Sequence, residues 1–325
     1  MTAELMPEVA CVGSGAIGRS WAWVFLRAGC RTRLYDPSQD QLERAKAWLA
    51  EEARRDATAG LIEGSDAGDQ LARLSTHTDL AEALVGVDYV QESVPEHLEL
   101  KQRVFGELDR LAPPRAILAS SVSGLDINDF TAGLPGAWRC VVAHPVNPPH
   151  VVPVVELLGS QAADPEVVAR ARELLVKVGQ QPLVMRRYVP GYVLNRLQLA
   201  LVREAIGLVD DGVASPEDID LGIREGLGLR WALIGPFVVA HTNDDAGVRA
   251  YYDRPTKSVR RAVMEDLYPT PDFNPEQIER IGQGVDAMVA GASVAELQAW
   301  RDEMIKRLRA LKRDNPMPSS TADDA

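Results

Sequence analysis

The stretch Glu8-Val-Ala-Cys-Val-Gly-Ser-Gly-Ala-Ile-Gly18 decides the fold. A short apolar run leads straight into Gly13-x-Gly15-x-x-Gly18, and an apolar helical segment, Ala16 to Ala28, continues from it. Gly29 ends that helix, and Arg31 to Tyr35 reads as a second strand closed by Asp36. A glycine pattern alone is weak; strand, glycine turn, helix, strand and terminal acid in this order make the first half of a dinucleotide-binding unit. Gly13 allows the tight turn, Gly15 lets a pyrophosphate approach the backbone, and Gly18 lets helix and strand pack closely. The helix start offers free N–H donors and a positive dipole end to phosphate. Asp36 would accept hydrogen bonds from ribose hydroxyls and repel a 2′-phosphate; two unit charges at roughly 4 Å cost about 1 to 4 kcal/mol. The expected cofactor is therefore NAD and not NADP.

Beyond Asp36, Pro37 and Ser38 open a charged helix to Ala59, with Leu42, Ala45, Trp48 and Leu49 at helical spacing. Strand-like and helical pieces then alternate: strand Val87 to Val94, helix Glu96 to Leu111, strand Ala116 to Ser121, short helix Ile127 to Ala132. Such alternation implies right-handed crossovers, a mainly parallel doubly wound sheet and the α/β class. Ligands of such sheets gather at the carboxyl ends of the strands. Glu92 to Glu96, Ser120 to Ser123, and His144 all fall there. Ser123 either bonds a substrate hydroxyl or the nicotinamide, or caps the helix near Asp126. Glu96 and Lys101 either reach the cofactor riboses or form an exposed pair on one helix.

His144 and Glu156 stand in an otherwise apolar, proline-ruled segment, Trp138 to Leu158. Cys140 to Ala143 reads as a buried strand, Pro148-Pro149 turns the chain, and Val151 to Leu158 reads as a returning strand. That path brings Glu156 back beside His144. A carboxylate on one imidazole nitrogen fixes the tautomer, frees the other nitrogen as proton acceptor and stabilises the imidazolium. The plainer alternative is a surface histidine at a strand end. Asn147 offers an amide to a carboxamide or carbonyl, or only fixes its turn.

After the amphipathic helix Pro165 to Lys177 and the strand Leu183 to Arg186, the pattern changes near Pro190 and becomes helical to about Arg313. Residues 1–189 are thus expected as a Rossmann domain, 190–314 as an all-α domain, and 315–325 as a polar, disordered tail. Tyr192 to Val209 is apolar almost all round, as for a helix buried between domains or subunits. Asn195, near its start, either faces the site or bonds nearby backbone. Arg230 is the single charge in Gly226-Leu-Gly-Leu-Arg-Trp-Ala-Leu-Ile-Gly-Pro236; a buried guanidinium wants an anion, either an internal carboxylate such as Glu225 or Asp220 or that of a substrate.

The 325 residues, 46% hydrophobic and 25% charged, are ordinary for a protein of about two domains. A net charge of −12 argues against nucleic acid or an anionic membrane as partner. No run approaches a membrane span and Met1 to Glu8 lacks the features of a secretion signal, which points to the cytoplasm. Cys11, Cys30 and Cys140 read as buried free thiols, and His77, His97, His150 and His241 lack metal-like spacing, so no metal is expected.

Val12-Gly-Ser-Gly-Ala-Ile-Gly-Arg-Ser-Trp-Ala22, Glu92-Ser-Val-Pro-Glu96, Ala143-His-Pro-Val-Asn-Pro-Pro149 and Leu194-Asn-Arg-Leu-Gln198 together resemble the 3-hydroxyacyl-CoA dehydrogenase superfamily, and within it the L-gulonate 3-dehydrogenase and lambda-crystallin branch. The resemblance runs from Val9 to about Lys312. It implies a Rossmann domain, a helical substrate domain and a homodimer joined through the helical domains. It places catalytic roles on Ser123, His144, Glu156 and Asn195, and cofactor contacts on Ala16, Ile17, Asp36, Glu96, Lys101 and Asn147. Pro145-Val146 and the Arg230 segment look like the gulonate branch, whereas His150 stands where that branch usually has tyrosine. The implied reaction is NAD-dependent oxidation of the 3-hydroxyl of a small acid such as L-gulonate, with Arg230 on the carboxylate. The alternatives are a 3-hydroxyacyl-CoA substrate, L-carnitine, or an NAD-binding crystallin without catalysis.

Overall fold

The computed structural model describes residues 6–62 and 66–318. Most of the expected polar tail, and the first five residues, lie outside them. The chain divides into two compact units, one running to Leu194 and the other from Asn195.

The first unit holds strands β1 (Glu8–Val12), β2 (Arg31–Tyr35), β3 (Leu74–His77), β4 (Tyr89–Glu92), β5 (Ile117–Ser120), β6 (Cys140–Pro145), β7 (Val154–Gly159) and β8 (Gln181–Val184). They form one sheet in the order β3-β2-β1-β4-β5-β6-β7-β8. Pairing is parallel throughout except between β6 and β7. Helices α1 (Ala16–Arg27), α2 (Gln39–Thr58), α3 (Asp66–Leu71), α4 (Leu80–Ala83), α5 (Leu98–Leu111), α6 (Asn128–Thr131) and α7 (Pro165–Lys177) fill the connections. Parallel neighbours need such crossovers, whereas the eight-residue turn from Val146 to Pro153 suffices for an antiparallel return.

Alternation along β1 shows how both faces are covered. Val9 and Cys11 join one apolar cluster with Trp21, Phe25, Leu42 and Leu175, while Ala10 and Val12 join another with Phe105, Leu108 and Phe130. A strand buried on both faces reads as a continuous apolar run, which is what Val9 to Val12 is. β4, β5 and β7 are shorter than the runs expected of them, whereas β6 continues through His144 and Pro145, and β8 begins two residues before the expected Leu183. Pro153 has no N–H to give a ladder, so β7 starts at Val154 and not at Val151. Ser38 caps α2 through the Gln41 amide, and Asp164 caps α7 ahead of Pro165.

The second unit is helical. Its first long helix, Leu194–Asp210, is followed by shorter ones and by Pro275–Val289 and Val294–Asp314, each headed by a capping box at Asn274 and Ser293. Gly222–Leu227 forms a π-helical turn leading into Gly228–Trp231. In the single chain only Ile206 and Val209 of the helix Leu194–Asp210 are buried. Leu197, Leu199, Trp231, Leu233 and Phe237 are all left exposed. No helix among the described residues is long and apolar enough to cross a membrane.

Candidate active site

The glycine turn is built as its spacing requires. Gly13 has φ +96°, and a Cβ there would lie 2.9 Å from the Ser93 carbonyl oxygen. A Cβ on Gly18 would come within 1.8 Å of the Gly13 carbonyl oxygen, which no rearrangement short of separating helix from turn relieves. Gly15 is the opposite case: it is exposed, and nothing lies within 4 Å of where its Cβ would be. That open space sits over the start of α1, where Gly15 is the N-cap and provides no side-chain acceptor for the first amides. Ala16 is exposed and Ile17 half-buried beside it. Uncapped amides facing a space that only a glycine leaves open form a cradle for a phosphate group.

Asp36 closes the cradle. Its Oδ2 accepts from the Ser14 amide at 3.0 Å and the Ser14 hydroxyl at 2.8 Å, and its Oδ1 from the Ser38 amide at 3.0 Å. The carboxylate is thereby fixed against the glycine turn and remains partly open to solvent. These residues fit the pyrophosphate and ribose of a dinucleotide.

The Glu96–Lys101 expectation needs correction. Lys101 is buried and points inward, donating to both oxygens of Glu92 at 2.8 and 2.9 Å and to the Val94 carbonyl at 3.3 Å. Ser120 Oγ and the Val94 amide complete the shell around Glu92. The ammonium thus holds the end of β4, and it does not form an exposed pair with Glu96. Glu96 is bound elsewhere: it accepts from Ser123 Oγ at 2.7 Å and from the amides of Ser123, Gly124 and Leu125 at 2.7 to 2.9 Å. Burial opposes its ionisation, yet these four donors hold its carboxyl below the ordinary glutamate value. Ser123 therefore does not cap the helix near Asp126; it sits in a loop clasped by Glu96.

His144 and Glu156 meet as the apolar segment suggested. They are register partners across β6 and β7, with Nδ1 2.7 Å from Oε2. Glu156 is fully buried, and its Oε1 accepts from the Val193 and Leu194 amides at 2.7 and 2.9 Å. Burial alone would raise its pKa; the hydrogen bond from His144 and the two amides override that and hold it low. An ionised carboxylate only accepts, so Nδ1 carries the proton and Nε2 is left as the acceptor. Tyr192, which in the sequence is one residue of an apolar run, lies with its ring centroid 5.3 Å from that of His144.

Asn147 is exposed in the turn after His144. His150 is buried in the same turn, its Nε2 3.3 Å from Glu52 Oε1 and its ring edge-on to Trp48. Arg230 is exposed in the single chain and has no carboxylate partner among the described residues; Glu225 pairs with Arg224 instead. The expectation of a guanidinium buried within its own fold is thus overturned, because the helices around it leave Leu229, Trp231 and Leu233 open as well. Asn195 opens the helical unit, directly after the amides that hold Glu156. The three cysteines are free and buried.

Comparison with known proteins places this geometry. Residues 8–188 match the family described as 3-hydroxyacyl-CoA dehydrogenase, NAD binding domain, and residues 191–282 match 3-hydroxyacyl-CoA dehydrogenase, C-terminal domain. Lambda-crystallin of Oryctolagus cuniculus is 39% identical over 316 residues, 96% of this chain and 98% of that protein. L-carnitine dehydrogenase of Oceanobacillus iheyensis is 36% identical over 317 residues, 95% of this chain and 99% of that protein. The solved structure of an NAD-dependent 5-formyl-3-hydroxy-2-methylpyridine 4-carboxylic acid 5-dehydrogenase superposes with a TM-score of 0.77 at 28% identity, covering 95% of this chain and 98% of the other.

Proposed function

The chain belongs to the 3-hydroxyacyl-CoA dehydrogenase family and is an NAD-dependent oxidoreductase acting on an alcohol; from that premise we propose that it oxidises the 3-hydroxyl of a small 3-hydroxy acid, L-gulonate foremost, to the 3-keto acid. The observation that carries the reading is the buried His144–Glu156 pair, with Nε2 free to accept a proton. Bound NAD supplies the nicotinamide carbon that takes the hydride. His144 Nε2 takes the hydroxyl proton as the carbonyl forms, and Glu156 stabilises the imidazolium. The products are ketone, NADH and one proton. Gly13, Gly15, Ala16, Ile17, Gly18 and Asp36 seat the pyrophosphate and adenosine ribose, and Asn147 offers its exposed amide to the carboxamide. Glu96 reaches the cofactor's riboses, as the family resemblance implies. Ser123 and Asn195 hold the reacting oxygen, and Arg230 binds the substrate carboxylate.

The Pro145-Val146 and Arg230 segments, which resemble the gulonate branch, support a free acid, and Arg230, unpaired among the described residues, supplies a counter-charge for it. The 36% identity to L-carnitine dehydrogenase favours a second reading, in which the acid is a short 3-hydroxy acid bearing a quaternary ammonium. The apolar side chains left exposed on the helical unit support a homodimer formed through it. A screen of NADH formation from L-gulonate, both 3-hydroxybutyrates, L-carnitine and 3-hydroxybutyryl-CoA tests the proposal. L-gulonate should give the highest kcat/KM. Preference for the thioester would overturn the free-acid reading, and turnover of none would leave a cofactor-binding protein without this activity.

A further inference from the structure

The loop between β5 and α6 has no ladder of its own, and its polar backbone groups are satisfied from two sides. Glu96 takes the amides of Ser123, Gly124 and Leu125. On the carbonyl side, Tyr188 Oη donates to Gly124 O at 2.7 Å and Tyr192 Oη to Leu125 O at 2.9 Å. The same short segment that carries these tyrosines also supplies the Val193 and Leu194 amides to Glu156.

Tyr192 is the centre of this arrangement. It is fully buried, its ring packs at 39° against His144, and its backbone sits at φ +49° in the left-handed region, which side chains other than glycine rarely adopt. Strained backbone persists where its surroundings over-determine it. Here the surroundings are a turn hydrogen bond from its amide to Val189 O, the Tyr188 ring set edge-on to its own, and the phenolic bond to the loop. Burial pushes its phenol well above the ordinary range, so the group stays protonated and can donate.

We infer that Tyr192 is a positioning residue that sets the distance between the base and the serine, by packing its ring on His144 while its hydroxyl anchors the loop bearing Ser123. This rests on the roles given above to His144 and Ser123. Without the phenolic oxygen the Leu125 carbonyl is unpaired and the loop is free to shift, while the imidazole keeps its ring contact and its carboxylate. Misplacing one group of a reacting set affects turnover more than binding.

The test is Tyr192→Phe, which keeps the ring and the packing, assayed with NAD and L-gulonate alone and combined with Ser123→Ala. Tyr192→Phe should lower kcat about tenfold, equivalent to about 1.4 kcal/mol, with KM for NAD within about twofold of wild type. In the Ser123→Ala background it should cost nothing further, because there is no hydroxyl left to place. Tyr188→Phe, which frees the neighbouring Gly124 carbonyl, should give the same kind of defect in milder form. Wild-type kcat in Tyr192→Phe beside an impaired Ser123→Ala overturns the inference alone, as does an undiminished tenfold loss in the double variant. Wild-type kcat in Ser123→Ala overturns the serine's role and this inference with it.

Discussion

His144 and Glu156 face each other directly across the antiparallel pairing of β6 with β7, and the imidazole Nδ1 lies 2.7 Å from the carboxylate Oε2. A parallel crossover would have carried the acid to another part of the sheet. The short proline turn instead returns the chain in register, and a slip of one residue would turn Glu156 to the opposite face. Because both groups are held by strands and by the Val193 and Leu194 amides, the pair is set before any ligand arrives.

The low-lying Glu156 and Glu96 carboxyls make stability depend on acid. A carboxyl depressed in the folded state contributes stability that is present above its unfolded value, about 4.3 for glutamate, and is lost as pH falls through the lower folded value. Melting temperature should therefore drop as pH falls below about 4.3. The drop should be shallower in Glu156→Gln, which has no carboxylate to protonate. An equally steep acid slope in that variant would place the effect on other groups. The same variant should lose activity by about 10²-fold or more, since an amide no longer enforces the tautomer.

Gly15 and Gly18 should respond oppositely to alanine. Gly18→Ala forces a Cβ into the Gly13 carbonyl and should lower the yield of folded protein or its melting temperature markedly. Gly15→Ala meets nothing within 4 Å and should fold normally, yet raise KM for NAD by about tenfold or more because the methyl occupies the phosphate cradle. Thermal melts beside NAD titrations separate the two. A Gly15→Ala protein with unchanged NAD affinity would move the pyrophosphate elsewhere.

Asp36→Ser should weaken NAD and relax discrimination against NADP by about tenfold or more, the size expected for removing charge repulsion at roughly 4 Å. Comparing kcat/KM for the two cofactors in both proteins measures it. Because Asp36 also fixes Ser14, a modest loss of melting temperature should accompany the change.

Much of this was readable in the chain because it was local. The glycine turn, its strand and helix, the terminal Asp36 and the proline return that pairs His144 with Glu156 are each set by neighbours in sequence. What escaped was set by distance. Glu96 reaches a loop 27 residues on, and Lys101 turns to Glu92 and not to Glu96 because the buried end of β4 needs a cation. Tyr192 was hidden because an aromatic residue in an apolar run reads as core, and its hydroxyl partner Leu125 lies 67 residues away. Arg230 misled for a related reason: a charge among apolar residues looks buried, whereas its apolar neighbours are themselves exposed in the single chain.

The measurement that bears most directly on the proposed chemistry is made on His144→Ala, with turnover of L-gulonate and NAD affinity determined on the same preparation. Loss of the base should cut kcat by about 10²- to 10⁴-fold, with the NAD dissociation constant near wild type because the glycine cradle and Asp36 are untouched. Near-normal turnover in that variant, with NAD bound as before, would contradict the assignment of His144 as the group that takes the proton.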